Sequence, residues 1–146
     1  MQLSLHADYA CRCLIYLAVE QEGSVSKIAR AYGISRNHLV KVVHRLGQKG
    51  YLTTTRGKGG GIRLAKDPQK IGLGDIVRDM EAHFDLVECF DASTNTCRIA
   101  SGCGLRHALK EARAAFLRVL DAYTLTELIA NKPFLQRAFA PGVKGN

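Results

Sequence analysis

The chain has 146 residues and a formal net charge of +8, from 21 Lys and Arg against 13 Asp and Glu. This length suits one ordinary domain, or a small domain with an added oligomerisation element, and it can bury a hydrophobic core. A composition of 47% hydrophobic and 23% charged residues excludes a disordered tail. Because the chain can bury a hydrophobic core, its five cysteines need not form a disulfide framework.

Local patterns in the first half of the chain predict three helices followed by a β-hairpin. In the third helix, four apolar residues follow helical spacing and form one core stripe: Leu39, Val42, Val43 and Leu46. Ser24 or Ser26 can cap the second helix, and Ser35 is placed to cap the third. The predicted elements are helices over residues 7–21, from the cap at Ser24 or Ser26 to about Tyr32, and over 36–49, and strands over residues 51–55 and 62–65.

The second half of the chain predicts further helices around an irregular segment. The predicted elements are a helix over residues 75–82, a loop over 86–104, a long amphipathic helix over 105–123 and a last helix over 125–139, interrupted near Pro133. The fold class is therefore mainly α with a small β-hairpin. We expect an N-terminal unit at residues 1–84, a cysteine-rich loop at 85–104 and a C-terminal part at 105–146.

Positive charge is concentrated in one stretch of the chain. Residues 25–66 contain ten Lys or Arg and no Asp or Glu, whereas the other 104 residues carry 11 cations and 13 acids, a net of −2. This distribution excludes a uniformly basic protein and favours a localised anion-binding surface, with nucleic acid as the leading partner. A solvated basic face is the alternative.

The order of elements in that stretch is typical of a winged helix-turn-helix. Opposite the core stripe, the third helix presents a polar face without acids, and its N-terminal side chains are those that reach base edges in a major groove. The glycine-rich tip of the hairpin can approach a phosphate or a minor groove closely. The predicted DNA contacts are Ser35, Arg36, Asn37, His38, Lys41, Arg45, Arg56 and Lys58.

A nucleotide-binding loop is an alternative interpretation of the glycine-rich tip, but the spacing does not fit. A phosphate loop needs Ser or Thr after Gly57-Lys58, where the chain has Gly59. A dinucleotide-binding pattern that starts at Gly57 needs glycine where Ile62 stands. DNA binding therefore remains the predicted function of this segment.

The start of the chain carries no pattern for export or membrane insertion. Residues 1–6 lack a charged n-region, and the apolar run at residues 13–19 is too short for a signal peptide or a spanning helix. We therefore expect a cytoplasmic protein, in which clustered cysteines indicate metal or redox chemistry more often than disulfides.

Three cysteines lie in the predicted loop, at the spacing Cys89-x7-Cys97-x5-Cys103. Thiols on one irregular segment can surround a soft metal centre, although the wide spacing is unlike the paired C-x-x-C of structural zinc. An iron–sulfur cluster, a zinc site and free thiols all stay open, with His107, a carboxylate or water as the fourth ligand. Two other cysteines share the first helix, where we expect Cys13 in the core and Cys11 without a role.

Several segments together resemble the Rrf-type winged-helix transcription regulators, and among these the nitric-oxide-sensing repressors. The resemblance spans roughly residues 1–130, and it is carried by Asp8-Tyr9, residues 33–41, residues 56–64 and the three-cysteine loop. It implies a homodimer in which the long helix packs against its mate. It also implies a repressor of palindromic operator DNA whose binding is controlled by nitric oxide.

The resemblance further implies a [4Fe-4S] cluster, with [2Fe-2S] as the alternative, held by Cys89, Cys97 and Cys103. The fourth ligand in that branch is an aspartate near the start of the first helix of the other subunit, here Asp8. Taken alone, Asp8 is a first-turn carboxylate favoured by the helix dipole. His107 lies one position away from the histidine-ligand spacing of a related branch, which favours Asp8.

Two alternative functions use the same fold. One is a regulator that senses iron–sulfur status or redox state, and the other is a zinc-bound or thiol-only DNA-binding protein. An enzyme has little support, since no Ser/His/Asp order and no pair of carboxylates stands out.

Overall fold

The computed structural model of the chain describes residues 2–55, 57 and 61–140. These residues form seven α-helices and one antiparallel pair of strands, which confirms the mainly α prediction with a small hairpin. Short 3₁₀ turns occur at Pro68–Lys70 and Glu88–Phe90. The elements are α1 (Leu5–Glu20), α2 (Val25–Tyr32), α3 (Arg36–Gln48), β1 (Leu52–Thr54), β2 (Ile62–Leu64), α4 (Leu73–Met80), α5 (Gly104–Asp121), α6 (Leu125–Leu128) and α7 (Lys132–Phe139).

Helix α1 lies at the centre of the core. It contacts α2, α3, α4, α6, α7 and β2, and its side chains at Ala7, Ala10, Cys13 and Leu14 are completely buried. The helix begins two residues earlier than predicted, because the Ser4 side chain accepts a hydrogen bond from the Ala7 amide at 3.2 Å. The prediction that Cys13 belongs to the core is confirmed.

The helix-turn-helix forms as the sequence predicts. Of the two candidate caps for α2, Ser24 accepts a hydrogen bond from the Lys27 amide at 3.2 Å, and Gly33 ends the helix in the left-handed conformation. The predicted core stripe of α3 is buried. The expectation that Ser35 caps α3 through its side chain is wrong: Ser35 holds the N-cap position, but its hydroxyl makes no capping bond there.

The wing is a short hairpin that is fixed to the end of α1. Strand β1 pairs with β2 in the register Leu52 to Leu64 and Thr54 to Ile62. The observed β1 is one residue shorter at each end than the predicted strand. Ile62 also exchanges two backbone hydrogen bonds with Gly23, at 3.0 and 2.8 Å. The orientation of the wing relative to α1 is therefore set by the backbone.

The C-terminal segment differs from the prediction of one interrupted helix. It forms two helices, α6 and α7, and the interruption precedes Pro133 rather than coinciding with it. The Asn131 side chain caps α7 by accepting from the Phe134 amide at 3.3 Å, so that Pro133 lies in the first turn, where no intrahelical donor is lost. Phe139 then packs its ring against Tyr16 and Tyr32, at centroid distances of 5.1 and 5.3 Å.

Helix α5 has no buried residue in this single chain. Its apolar side chains include Leu105 and Val119, which are 65% and 57% exposed. Among the described residues, no helix combines the length and apolar character needed to cross a membrane. An amphipathic helix of 18 residues with an uncovered apolar face is typical of a protein–protein contact.

Candidate nucleic-acid interface and cysteine loop

The outer face of α3 is exposed and contains most of the predicted DNA contacts. The exposed residues from this set are Ser35, Arg36, Asn37, His38, Lys41 and Arg45. The remaining two, Arg56 and Lys58, lie outside the described residues. Gly57 between them has φ +103°, a conformation that favours glycine in a tight tip.

Sequence reasoning missed Val40 on this face. Its side chain is 43% exposed and lies one turn from Asn37, at the edge of the polar face. An exposed aliphatic side chain among polar ones can contact the methyl group of thymine in a major groove. The signal was present in the sequence, since Val40 is the one apolar residue of α3 that does not fit the stripe.

The C-terminal end of α3 is joined to α4 by a cluster around Asp79. The Arg45 guanidinium donates two hydrogen bonds to the Asp79 carbonyl, at 3.0 and 2.7 Å. The Asp79 carboxylate accepts from Lys49 Nζ at 2.6 Å and from the Tyr51 hydroxyl at 2.8 Å. Arg45 and Lys49 can therefore reach a phosphate only by giving up these contacts, whereas Lys41 has no such restraint within the described chain.

This cluster shifts the titration of its members. Partial burial alone raises the pKa of Asp79, but hydrogen bonds from Lys49 and Tyr51 outweigh it, so that the net pKa lies below the ordinary value. Burial, followed by the bond to Asp79, raises the pKa of Tyr51. Asp79 is thus ionised at neutral pH and connects the recognition helix and the wing to α4.

Replacing Asp79 with Asn is expected to lower the free energy of unfolding at pH 7 by no more than about 1 kcal/mol, because the ion pair is partly exposed and screened by water. The folded pKa of Asp79 is lowered, so its stabilisation is present above the ordinary value of 3.8 and is lost as the pH falls through the folded value. Urea unfolding of the wild type and of Asp79→Asn at pH 7 and at pH 3 measures the difference in the free energy of unfolding. A difference between the two proteins that persists unchanged at pH 3 contradicts the assignment.

The loop between α4 and α5 contains three free thiols. Cys89 is buried in the 3₁₀ turn Glu88–Phe90, Cys97 is half-buried after a turn in which Asn95 accepts from its amide at 3.0 Å, and Cys103 precedes α5 directly. Soft thiolate donors of this kind fit an iron–sulfur cluster or zinc. Within the part of the chain that the structure describes, however, no three His, Cys, Asp or Glu side chains are gathered closely enough to hold a metal ion.

The two candidates for a fourth ligand have different surroundings. Asp8 lies in the first turn of α1, where both carboxylate oxygens bind the Arg12 guanidinium, at 2.9 and 2.8 Å. His107 is exposed near the start of α5, with Nε2 at 3.5 Å from Glu111. Neither side chain joins the cysteines of its own chain in a group of ligands.

The two cysteines of α1 have a different chemistry. Burial, together with the charge of Asp8, raises the pKa of Cys11 to about 11, and burial raises the pKa of Cys13 to about 12. Both thiols are therefore protonated at neutral pH. That neither takes part in the site stays a prediction.

Comparison with known proteins agrees with this architecture. The transcriptional regulator NsrR of Bacillus subtilis (strain 168) is 53% identical over 135 residues, which cover 90% of this chain and 92% of that protein. NsrR of Geobacillus kaustophilus (strain HTA426) is 48% identical over 139 residues, 93% of this chain and 95% of the relative.

Solved structures share the winged-helix fold. IscR of T. potens superposes with a TM-score of 0.72 at 23% identity, covering 99% of this chain and 94% of that chain. CymR of B. subtilis, a global cysteine regulator, superposes with a TM-score of 0.70 at 26% identity, covering 90% of this chain and 98% of that chain. Residues 3–131 match the family Rrf2, described as an iron-dependent transcriptional regulator. The chain therefore belongs to the Rrf2 family, whose members are transcriptional regulators and not enzymes.

Proposed function

We propose that the chain is a repressor whose binding to palindromic operator DNA depends on an iron–sulfur cluster and responds to nitric oxide. The observation that carries this proposal is the position of three free thiols, Cys89, Cys97 and Cys103, on the one irregular segment between α4 and the exposed helix α5. The similarity to NsrR proteins over nine-tenths of the chain supports nitric oxide as the proposed signal. We propose [4Fe-4S] as the cluster, with [2Fe-2S] as the alternative.

A homodimer is part of the proposal. Part of the apolar surface of α5 is uncovered in its own chain, and a second copy packed on it in two-fold symmetry would bury side chains such as Leu105 and Val119. Two recognition helices would then face two half-sites of a palindrome. In this arrangement Asp8 of the partner subunit completes the ligand set of the three cysteines.

The end of α4 is suited to transmit a change at the loop to the DNA-reading surface. Asp79 binds Arg45 of α3 and Lys49, the residue directly after α3. Two residues later, Glu81 accepts a hydrogen bond at 2.7 Å from the amide of Ser4, the N-cap of α1. The chain continues from there into the cysteine loop. A shift of this loop therefore acts on α1 and α3 through the same helix end.

Asp8 has two alternative partners in this scheme. When bound, the cluster would supply irons that can react with nitric oxide, and Asp8 would be one of the residues that hold it. A carboxylate is a hard ligand for a soft centre, and Arg12 lies one turn away to receive it. The Arg12 guanidinium also lies 5.8 Å from the centroid of the Tyr32 ring in α2, so that the Asp8–Arg12 pair connects α1 to the helix-turn-helix.

Replacing Asp8 with Ala is expected to lower the operator affinity of the iron-loaded protein by at least about fivefold, the lower range of couplings between sites. The reason is that the substitution removes the proposed link from α1 of one subunit to the cysteine loop of the other, while the three thiolates of the loop remain. Fluorescence anisotropy with labelled operator DNA measures the effect, and iron and sulfide analysis reports occupancy. Unchanged affinity and an unchanged rate of iron loss would contradict the role of Asp8.

A second candidate function is a thiol-only or zinc-bound regulator. The free thiols and the lack of a gathered three-ligand group in the described chain favour its thiol-only form. Elemental analysis of anaerobically purified protein distinguishes the candidates: iron with sulfide supports the cluster, and zinc or no metal supports the alternative. A cluster that responds to oxidants but not to nitric oxide indicates a sensor of redox or iron–sulfur status.

A further inference from the structure

Arg106 connects the two ends of the cysteine loop. Its Nε donates to the carbonyl oxygen of Cys89 at 3.0 Å, and its Nη1 lies 3.5 Å from the carbonyl oxygen of Ala100. These two carbonyls flank Cys97 in the sequence. A single side chain of α5 thus closes the loop around the second thiol.

Arg113 holds the same loop two turns further along α5. Its guanidinium lies 4.6 Å from the centroid of the Phe90 ring, next to Cys89, within the range of a cation–π contact. It also donates to the Phe84 carbonyl at 3.3 Å and approaches the Asp85 carboxylate at 3.5 Å. Residues seven apart share one helix face, so both arginines act on the loop from the same side.

Among the described residues, no acid forms an ion pair with Arg106. Its hydrogen-bond partners in the described chain are carbonyl oxygens, whereas Arg113 has Asp85 nearby. The side chain is half-buried, which limits screening by water. A cation therefore lies beside the turn of Cys89, where thiolate ligands would bring negative charge.

From these contacts we infer that Arg106 and Arg113 are positioning residues that hold Cys89 in place for metal binding, and that Arg106 also supplies positive charge to the occupied site. The second part rests on the proposed function, because it needs a cluster at the three cysteines. The first part does not, since the hydrogen bonds are present in the chain alone. Neither residue is proposed as a ligand.

The positioning role is tested on metal-free, reduced protein by alkylation with iodoacetamide, followed site by site with mass spectrometry. Arg106→Ala is expected to raise the rate at Cys89 about tenfold, the scale of losing a hydrogen bond from a charged donor. Lys110→Ala is the matched control, because Lys110 is an exposed cation of α5 with no hydrogen bond or ion pair in the described chain. Cys13 is fully buried and reports global unfolding.

The outcomes separate local from global effects. Faster alkylation at Cys89 with Cys13 unreactive supports the inference, and an unchanged rate at Cys89 overturns it. Where Arg106→Ala also exposes Cys13, Arg106→Lys decides, because it keeps the stem and charge but not the planar fork. Faster alkylation of Cys89 alone in Arg106→Lys then supports the inference. An unchanged alkylation rate at Cys89 overturns it.

The charge role is tested on anaerobic protein that carries iron and sulfide. Arg106→Ala is expected to shift the reduction potential to more negative values and to speed iron transfer to a chelator, while Arg106→Lys restores the potential in large part. Wild-type protein that binds no iron contradicts the proposed function and leaves the alkylation test standing. Wild type and Arg106→Ala with equal potentials and equal iron-loss rates overturn the charge role alone.

Discussion

Alanine in place of Cys97 is expected to abolish iron binding and to reduce operator affinity to that of the metal-free protein. Cys97 is one of three thiols on the loop and is held there by the Arg106 contacts on both sides of it, so that its loss leaves two soft donors. Couplings between sites in regulators span about five- to 150-fold, which sets the expected loss of affinity. Iron analysis and operator titration on the same anaerobic samples measure both effects.

Cys11→Ala is the matched control for this substitution. Cys11 is a half-buried thiol on α1 whose pKa is raised to about 11, so it is protonated and unsuited to bind metal at neutral pH. This variant is expected to keep wild-type iron content and operator affinity. Equal effects of the two substitutions would show that general thiol loss, rather than a site on the loop, is responsible.

Replacing Lys41 with Ala is expected to weaken binding to specific and unrelated duplexes alike. Its side chain is exposed on the outer face of α3 and carries no ion pair with the described residues. Loss of one phosphate contact reduces the dependence of log affinity on log salt by about one unit for each subunit on the DNA. Titrations of operator and random DNA at several salt concentrations measure this slope.

Lys49→Ala removes a cation from the same helix and is the control. Because Lys49 Nζ binds the Asp79 carboxylate at 2.6 Å, this substitution is expected to leave the salt dependence unchanged while slightly lowering stability. An equal decrease of slope for both variants would mean that Lys49 leaves Asp79 to bind phosphate. The distinction between a DNA contact and a structural cation would then be wrong.

Local patterns predicted the elements that depend on local forces. The α3 stripe is buried as its spacing indicates, and Ser24 and Gly33 delimit α2 as their backbone preferences dictate. Pro133 was interpreted as a break, although proline fits the first turn of a helix, and the preceding Asn131 marks the start of α7. Either interpretation was consistent with the sequence alone.

Contacts between distant segments were beyond local reasoning. Nothing near Arg45 or Lys49 indicates that they bind Asp79, which lies 34 and 30 residues away, and the sequence predicts Arg45 as a DNA contact. Arg106 likewise reaches Cys89 across 17 residues. Partner choice among many surface charges depends on how α3, α4 and α5 pack, and this packing has no signature within a short window of sequence.

We expect occupancy of the cysteine loop to control DNA binding. The most direct test titrates anaerobically purified protein with nitric oxide while its visible absorption and its operator binding are recorded on the same sample. We expect iron–sulfur absorption at the start and a parallel loss of absorption and operator affinity as nitric oxide is added. Protein without such absorption, or operator binding that stays constant while the absorption disappears, would contradict it.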